Sequence, residues 1–164
     1  MANTELADLL DDLERGYEGD AWHGSPLRAI LEGITAEVAT ARPIPGGHTI
    51  AELVAHLGAW EGVVVRRIEE RVAIEEPDEG NFPAVGSPGF ETWDAILVRL
   101  ADRHDRLSRC LSGLDPARLR ETVAGKDYSV AHMIRGVAQH MAYHAGQVAT
   151  LRKAVESRTA APRP

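Results

Sequence analysis

Residues 129–151, SVAHMIRGVAQHMAYHAGQVATL, carry the pattern from which the fold of this 164-residue chain is predicted. Ser129 stands where a helix N-cap is expected, and we expect the helix to end near Lys153. Positions spaced by three and four residues define one face of this helix, which is largely apolar. That face consists of Val130, Met133, Val137, His140, His144, Gln147 and Leu151. Two histidines and a glutamine therefore occupy positions where apolar packing is expected.

Three further long segments have the same helical spacing. They are residues 4–17, residues 50–74 and residues 91–112. Thr49 and Glu52 form a capping-box pattern at the start of the second of these, in which the hydroxyl and the carboxylate satisfy each other's backbone donors. Four long helical segments without a credible strand predict an all-α fold, an antiparallel four-helix bundle.

Shorter segments connect or flank these helices. A further helix is expected after Ser25 as N-cap, with Pro26 at its first position. Residues 76–89 are rich in proline, glycine and acidic residues and are expected to form the longest loop. Residues 1–153 are predicted to form a single domain and residues 154–164 a disordered tail.

A weak internal repeat is also present. A shift of 80 positions aligns Gly33 with Gly113 and Thr49 with Ser129, so that helix, turn, loop and capped helix recur in the same order. We interpret the repeat as two helical hairpins related by a pseudo-twofold axis. Chance similarity between amphipathic helices is the alternative.

Composition and charge exclude several classes of protein. Acidic residues outnumber basic ones by 25 to 18, and the net charge of -7 disfavours nucleic acid and anionic membranes as partners. The single cysteine, Cys110, cannot form an internal disulfide. No apolar stretch approaches the roughly 18 residues that a membrane span needs, and the first residues lack the order of a signal peptide. We expect a cytoplasmic protein.

Three histidines are candidates to bind one metal ion. His140 and His144 are four residues apart and therefore lie on the same face of the last helix. His56 lies on the flank of the inward face of the second long helix. If these two helices start at the same end of the bundle, His56 and His140 differ in depth by only about one turn. The alternative is that the histidines are simply hydrogen-bonded to neighbouring helices.

The sequence resembles a known family at these same positions. Residues 42–57, RPIPGGHTIAELVAHL, and residues 139–147, QHMAYHAGQ, are similar to the DinB superfamily, as are WHG at 22–24 and LDP at 114–116. The resemblance implies a four-helix bundle, often dimeric, that holds a divalent metal on three histidines. Carried over residue by residue, these ligands are His56, His140 and His144.

The resemblance also implies a class of activity. Three neutral nitrogen ligands suit zinc or nickel and leave at least one coordination position open, as in catalytic sites. The superfamily includes hydrolase-like proteins and enzymes that use low-molecular-weight thiols for transfer. We therefore expect a metal-dependent enzyme acting on a small molecule. The alternative is a non-catalytic metal-binding module in stress response or protein interaction.

Other polar residues have more than one interpretation. His104, on the inward face of the third long helix, could be an outer-shell partner, a proton shuttle, an extra ligand or a satisfied core residue. Gln147 could orient a ligand or substrate, or bridge two helices. Tyr143 could border the pocket or pack. His48 and His132 are interpreted as cap or surface residues.

A homodimer is the expected assembly. The second long helix carries apolar residues beyond the predicted core stripe, namely Val63, Val65 and Val72. An exposed apolar face of this kind is typical of a pairing surface.

Overall fold

A computed structural model describes residues 2–85 and 91–160. Within these ranges the chain is helical and forms no strand, which confirms the all-α prediction. The α-helices are α1 (Ala2–Tyr17), α2 (Leu27–Leu31), α3 (Ala36–Thr40), α4 (Ile50–Glu69), α5 (Trp93–Ser112) and α6 (Val130–Ala160), and a 3-10 helix (Pro116–Arg120) precedes α6. None of the described helices combines the length and the apolar character that crossing a bilayer requires.

The four long helices pack around one core. Helix α4 contacts both α5 and α6, and α1 contacts the same two helices. Each long helix contributes side chains that are almost fully buried, including Leu13, Leu57, Leu107, Ile134 and Met141. Burying one such side chain contributes about 1.5–3 kcal/mol, so the shared core fixes the positions of the helices that carry the candidate site.

The capping box at the start of α4 is confirmed. The Thr49 hydroxyl accepts a hydrogen bond from the Glu52 backbone N–H at 3.1 Å, and the Glu52 carboxylate accepts one from the Thr49 N–H at 2.7 Å. The predicted end of the helix at Ile74 is wrong, because α4 ends at Glu69. Arg71 adopts a left-handed conformation, with φ of 56°, which an α-helix cannot continue through.

The segment after Ser25 differs from the prediction. Pro26, rather than Ser25, is the N-cap of α2, and the helix ends after five residues. Gly33 follows with φ of 74°, a conformation that glycine adopts without steric cost. Thr35 then caps α3 by accepting a hydrogen bond from the Val38 N–H at 3.3 Å. One predicted helix is therefore two short ones, separated by a glycine turn.

Helix α6 begins as predicted and ends later. The Ser129 hydroxyl accepts a hydrogen bond from the His132 N–H at 3.2 Å, which confirms the predicted cap. The helix continues past Lys153 to Ala160, and Val155 in this extension is buried. The remainder of the predicted tail, residues 161–164, lies outside the described residues, as do residues 86–89 of the predicted loop.

The apolar residues from which the homodimer was predicted do not form a surface. Val63 and Val65 are 3% and 1% exposed, because they pack inside the chain itself. Val72 lies beyond the end of α4 and is 37% exposed. One valine does not make an interface, so these three residues do not support the predicted homodimer.

Candidate metal centre

Three histidine side chains converge in the interior between α4 and α6. His56 comes from α4, and His140 and His144 come from successive turns of α6. One ring nitrogen from each lies within 4.8 Å of those of the other two. The Nε2 atoms of His56 and His140 are 2.8 Å apart, and the ring centroids of His140 and His144 are 4.5 Å apart. The convergence predicted from the spacing is thus present in the structure.

Oxygen acceptors behind two of the rings fix how the histidines face each other. The Nδ1 atom of His56 is 2.5 Å from the backbone carbonyl oxygen of Asn81, and that of His144 is 2.6 Å from the Gln147 Oε1 oxygen. Because a carbonyl oxygen only accepts, each Nδ1 must carry the proton. In a neutral imidazole the Nε2 atom then holds a free lone pair, as a metal ligand requires.

The surroundings keep these histidines neutral. Burial lowers the pKa of His56, His140 and His144 by disfavouring the charged imidazolium. For His140 the charges of His144 and His56 act in the same direction as burial, and its pKa falls to about 4. At neutral pH the cluster therefore presents three uncharged nitrogen donors. This donor set fits zinc or nickel.

A loop residue pair supports the cluster from one side. Besides its carbonyl contact with His56, Asn81 accepts a hydrogen bond from the Trp60 indole N–H at 2.8 Å through its side chain. The ring of Phe82 stacks between those of His48 and His56, with centroids 3.6 and 4.3 Å away. His48 is therefore not only a cap or surface residue. Sequence reasoning missed Asn81 and Phe82, because the loop has no periodicity that would reveal inward-facing positions.

A cavity of about 470 Å³ is lined by residues that contact the cluster, although none of the three histidines lines it. Gln147, which holds His144, and Tyr143, whose ring centroid is 4.9 Å from that of His144, both line it. His48 lines it as well, and the rest of its wall is largely apolar, with Ile44, Leu53 and Leu151. The volume is within the range of small-molecule sites, and a mostly apolar wall with a few polar groups is typical of them.

His104 does not belong to the three-histidine cluster. Its Nδ1 atom is 3.2 Å from the Glu61 carboxylate, and its ring stacks on Tyr17 with centroids 3.7 Å apart. Its ring contacts in the described part of the chain are thus with α1 and α4 residues that are not candidate ligands. Glu61 could not be predicted as its partner, because a lone glutamate on a helix is usually a surface residue.

Fold and site together define a class: an all-α protein with three neutral histidines placed to hold one cation. The sequence matches the family model of the DinB superfamily over residues 21–148, a range that contains all three histidines. The chain therefore belongs to the DinB superfamily. No curated protein and no solved structure matches it significantly.

Proposed function

We propose that this protein is a metal-dependent enzyme that binds one divalent cation, zinc or nickel, through the Nε2 atoms of His56, His140 and His144. The observation that carries the proposal is the pair of hydrogen bonds that direct the Nδ1 protons of His56 and His144 to oxygen acceptors. Histidines that only fill a core need no common orientation, whereas metal ligands need their lone pairs directed to one point.

A cavity lined by two residues that contact His144, Gln147 and Tyr143, favours an enzyme over a closed structural site. Three protein ligands leave a coordination position open, and a cation held there supplies Lewis acidity toward a bound water, thiol or carbonyl. The largely apolar wall suits a substrate with an apolar part, and Tyr143, His48 and Gln147 offer the polar contacts. We propose hydrolysis, or transfer of a low-molecular-weight thiol, as the reaction class.

Gln147 acts as a positioning residue in this proposal. Its Oε1 atom holds the Nδ1 proton of His144, and its side chain also lines the cavity. It can therefore orient the ligand and the substrate at once. Tyr143 borders the same cavity and is 64% exposed, so its hydroxyl is free to meet a substrate from the solvent side.

Metal analysis of the purified full-length protein is the first test. We expect about one divalent ion per chain, and we expect His140→Ala and His144→Ala to lose it. His132→Ala is the matched control, because His132 lies on the same helix but is exposed and outside the cluster. Full metal occupancy in both ligand variants would refute the assignment.

A second experiment separates the enzyme from a non-catalytic metal-binding module. The metal-loaded protein is assayed with a panel of low-molecular-weight thiols and electrophiles, and with ester and amide substrates for hydrolysis. Turnover that requires the metal and disappears in His144→Ala supports the enzyme. A metal that raises the melting temperature without any turnover across both panels supports the module.

The finer architecture, assembly and location belong to the same proposal. We propose that α1, α4, α5 and α6 form an antiparallel four-helix bundle of two hairpins related by a pseudo-twofold axis. In support, α3 and the 3-10 helix begin 80 positions apart, and so do α4 and α6. A cytoplasmic homodimer remains a prediction, and small-angle scattering that gives the mass of a single chain would rule out the dimer.

A further inference from the structure

A second group of buried polar side chains lies apart from the three histidines. His104 of α5 and Glu61 of α4 are each 2% exposed, and the His104 Nδ1 atom is 3.2 Å from Glu61 Oε1. On the other side of the ring, the His104 Nε2 atom is 3.7 Å from Glu14 Oε2 of α1. One imidazole therefore lies between carboxylates from two other helices, and it joins α1 to α4 through α5.

The contact with Glu14 is the incomplete one. At 3.7 Å it is too long for a hydrogen bond, and the His104 Nε2 atom is buried without a partner. The Glu14 carboxylate is held in place, because its Oε1 atom accepts a hydrogen bond from the Ser108 hydroxyl at 2.5 Å. With a proton, Nε2 attracts Glu14 Oε2, whereas without one its lone pair repels that oxygen. The sign of the interaction thus depends on whether Nε2 is protonated.

A single titrating proton selects between these two states. His104 and Glu61 can share it as an imidazolium beside a carboxylate or as a neutral imidazole beside a carboxylic acid. In both arrangements Nε2 carries a proton, because an acid at Glu61 donates to Nδ1 and leaves the ring proton on Nε2. When the shared proton leaves, the remaining ring proton is donated from Nδ1 to Glu61, and Nε2 faces Glu14 as a bare acceptor.

The surroundings of the pair favour retention of this proton. Burial lowers the pKa of His104, but the hydrogen bond and charge of Glu61, with the charges of Glu14 and Asp105, outweigh it and the net shift is upward. Burial also raises the pKa of Glu61. Both partners therefore hold a proton more tightly than they would in water.

Other titratable groups near His104 do not compete for the proton. The ring of Tyr17 stacks on His104 from α1, with centroids 3.7 Å apart. Burial raises the pKa of Tyr17 to about 12, so this residue stays uncharged in the range in which an imidazole titrates. Charged residues of the neighbouring helices are engaged elsewhere or exposed, namely Arg103 with Glu79, Arg28 with Glu18, and Glu37 of α3 at the surface.

We propose that the proton shared by His104 and Glu61 is a pH-sensitive latch that fastens the C-terminal half of α1 to α4 and α5. With the proton in place, the Nε2–H group of His104 holds Glu14 and keeps Tyr17 stacked on the ring. Loss of the proton makes the contact repulsive, and the Glu14 side chain, which is already 40% exposed, turns to solvent.

The direction of the pH dependence follows from the proton count. The folded state holds the proton more tightly than an unfolded histidine, whose pKa is about 6.5. The contact therefore stabilises α1 in full below that value, and the stabilisation is lost as the pH rises through the raised pKa of the folded state. The latch is closed in mildly acidic solution and opens in alkaline solution.

Hydrogen–deuterium exchange of the full-length protein, corrected for the intrinsic pH dependence of exchange, tests the latch. Between about pH 6 and about pH 9, we expect the protection of residues 10–17 to fall about fivefold relative to that of α6, as suits a partly exposed ion pair. In Glu14→Gln the fall should disappear, because an amide can either accept from Nε2 or donate to it. Asp12→Asn, which changes an exposed carboxylate on the same helix, is the matched control and should retain the fall.

Nitrogen-15 NMR of the histidine rings gives a second, independent measurement. We expect His104 Nε2 to carry a proton at about pH 7 and to release it above the ordinary imidazole range, and at lower pH in Glu14→Gln. An unprotonated Nε2 at about pH 7 would overturn the proposal. Protection of α1 that is independent of pH, or that falls equally in Glu14→Gln, would also overturn it. So would an equal fall in α1 and α6, since the pair would then stabilise the whole fold.

Discussion

The two sites that contain buried histidines differ in what lies behind the ring. At the metal centre the Nδ1 atoms of His56 and His144 contact neutral oxygen acceptors. At the second site the Nδ1 atom of His104 contacts a buried carboxylate, that of Glu61. A neutral acceptor leaves the imidazole uncharged when it is buried, whereas a carboxylate favours the imidazolium. The pKa accordingly falls in the first group and rises in the second.

An inward-facing histidine is therefore not by itself a metal ligand. His104 is more deeply buried than His56, although only His56 belongs to the metal cluster. His104 differs from the three clustered histidines in two ways. It lies outside the cluster of imidazoles, and the partner at its Nδ1 atom is a carboxylate rather than a neutral oxygen.

The largest effect is expected from Glu61→Ala. Removing one member of a buried, charge-assisted pair leaves the other without a partner, which costs about 3 kcal/mol of unfolding free energy. The measurement is urea denaturation followed by circular dichroism. Glu69→Ala on the same helix is the control, because its exposed pair with Arg106 contributes at most about 1 kcal/mol. Metal content should be unchanged in both variants, and loss of the metal from Glu61→Ala would show that the two sites are one.

Zinc should stabilise the folded protein by nearly as much. At a free concentration one hundred times its dissociation constant, a ligand of the native state adds about 2.7 kcal/mol. For a chain of this size that corresponds to a rise in melting temperature of roughly 5–10 °C, measured by calorimetry with and without a chelator. The shift should vanish in His144→Ala and persist in Glu14→Gln. A shift of the same size in His144→Ala would place the zinc elsewhere.

A smaller effect is expected from Gln147→Ala. Without the acceptor at Nδ1, the orientation of His144 is no longer fixed, and changes of this kind weaken metal binding about 10- to 100-fold. The measurement is competition with a chromogenic zinc chelator. Gln139→Ala is a matched control, since Gln139 is an exposed glutamine on the same helix. Equal affinities for the two variants would mean that Gln147 does not position the ligand.

The smallest effect is expected from Thr49→Ala. Loss of the N-cap hydroxyl of α4 should lower the free energy of unfolding by about 1 kcal/mol. Zinc affinity should stay within a factor of two or so, because the loop carbonyl that holds His56 is untouched. Thr150→Ala, an exposed threonine inside α6, is the control and should cost less. A large loss of zinc affinity in Thr49→Ala would indicate that the start of α4 sets the ligand geometry.

Local rules explain which parts of the fold could be predicted. The Thr49–Glu52 box and the Ser129 cap depend on hydrogen bonds within four residues, so the sequence alone contains them. The end of α4 depends on Arg71, which has a left-handed conformation. Non-glycine residues seldom adopt this conformation, so the sequence pattern does not predict it. The late end of α6 depends on burial of Val155 against other parts of the chain.

The sites, like the fold, combine short-range features that the sequence predicts with contacts between distant parts of the chain that it does not. Spacing placed His140 and His144 on one helix face, and the hairpin arrangement placed His56 within about one turn of His140 in depth. The family resemblance named the same three residues. Asn81 and Phe82 reach the cluster from a loop, and Glu61 reaches His104 from another helix. These contacts join residues more than twenty positions apart, and only the three-dimensional packing brings them together.

The contact between His56 and residue 81 has a consequence for sequence drift. The acceptor is the backbone carbonyl of Asn81, and every amino acid provides one. Only the hydrogen bond from Trp60 requires the asparagine side chain. Substitutions at position 81 can therefore accumulate among relatives without turning His56 away from its partners, provided that the loop keeps its path. What His56 requires at position 81 is the path of the main chain. The identity of the amino acid at that position would not show this requirement.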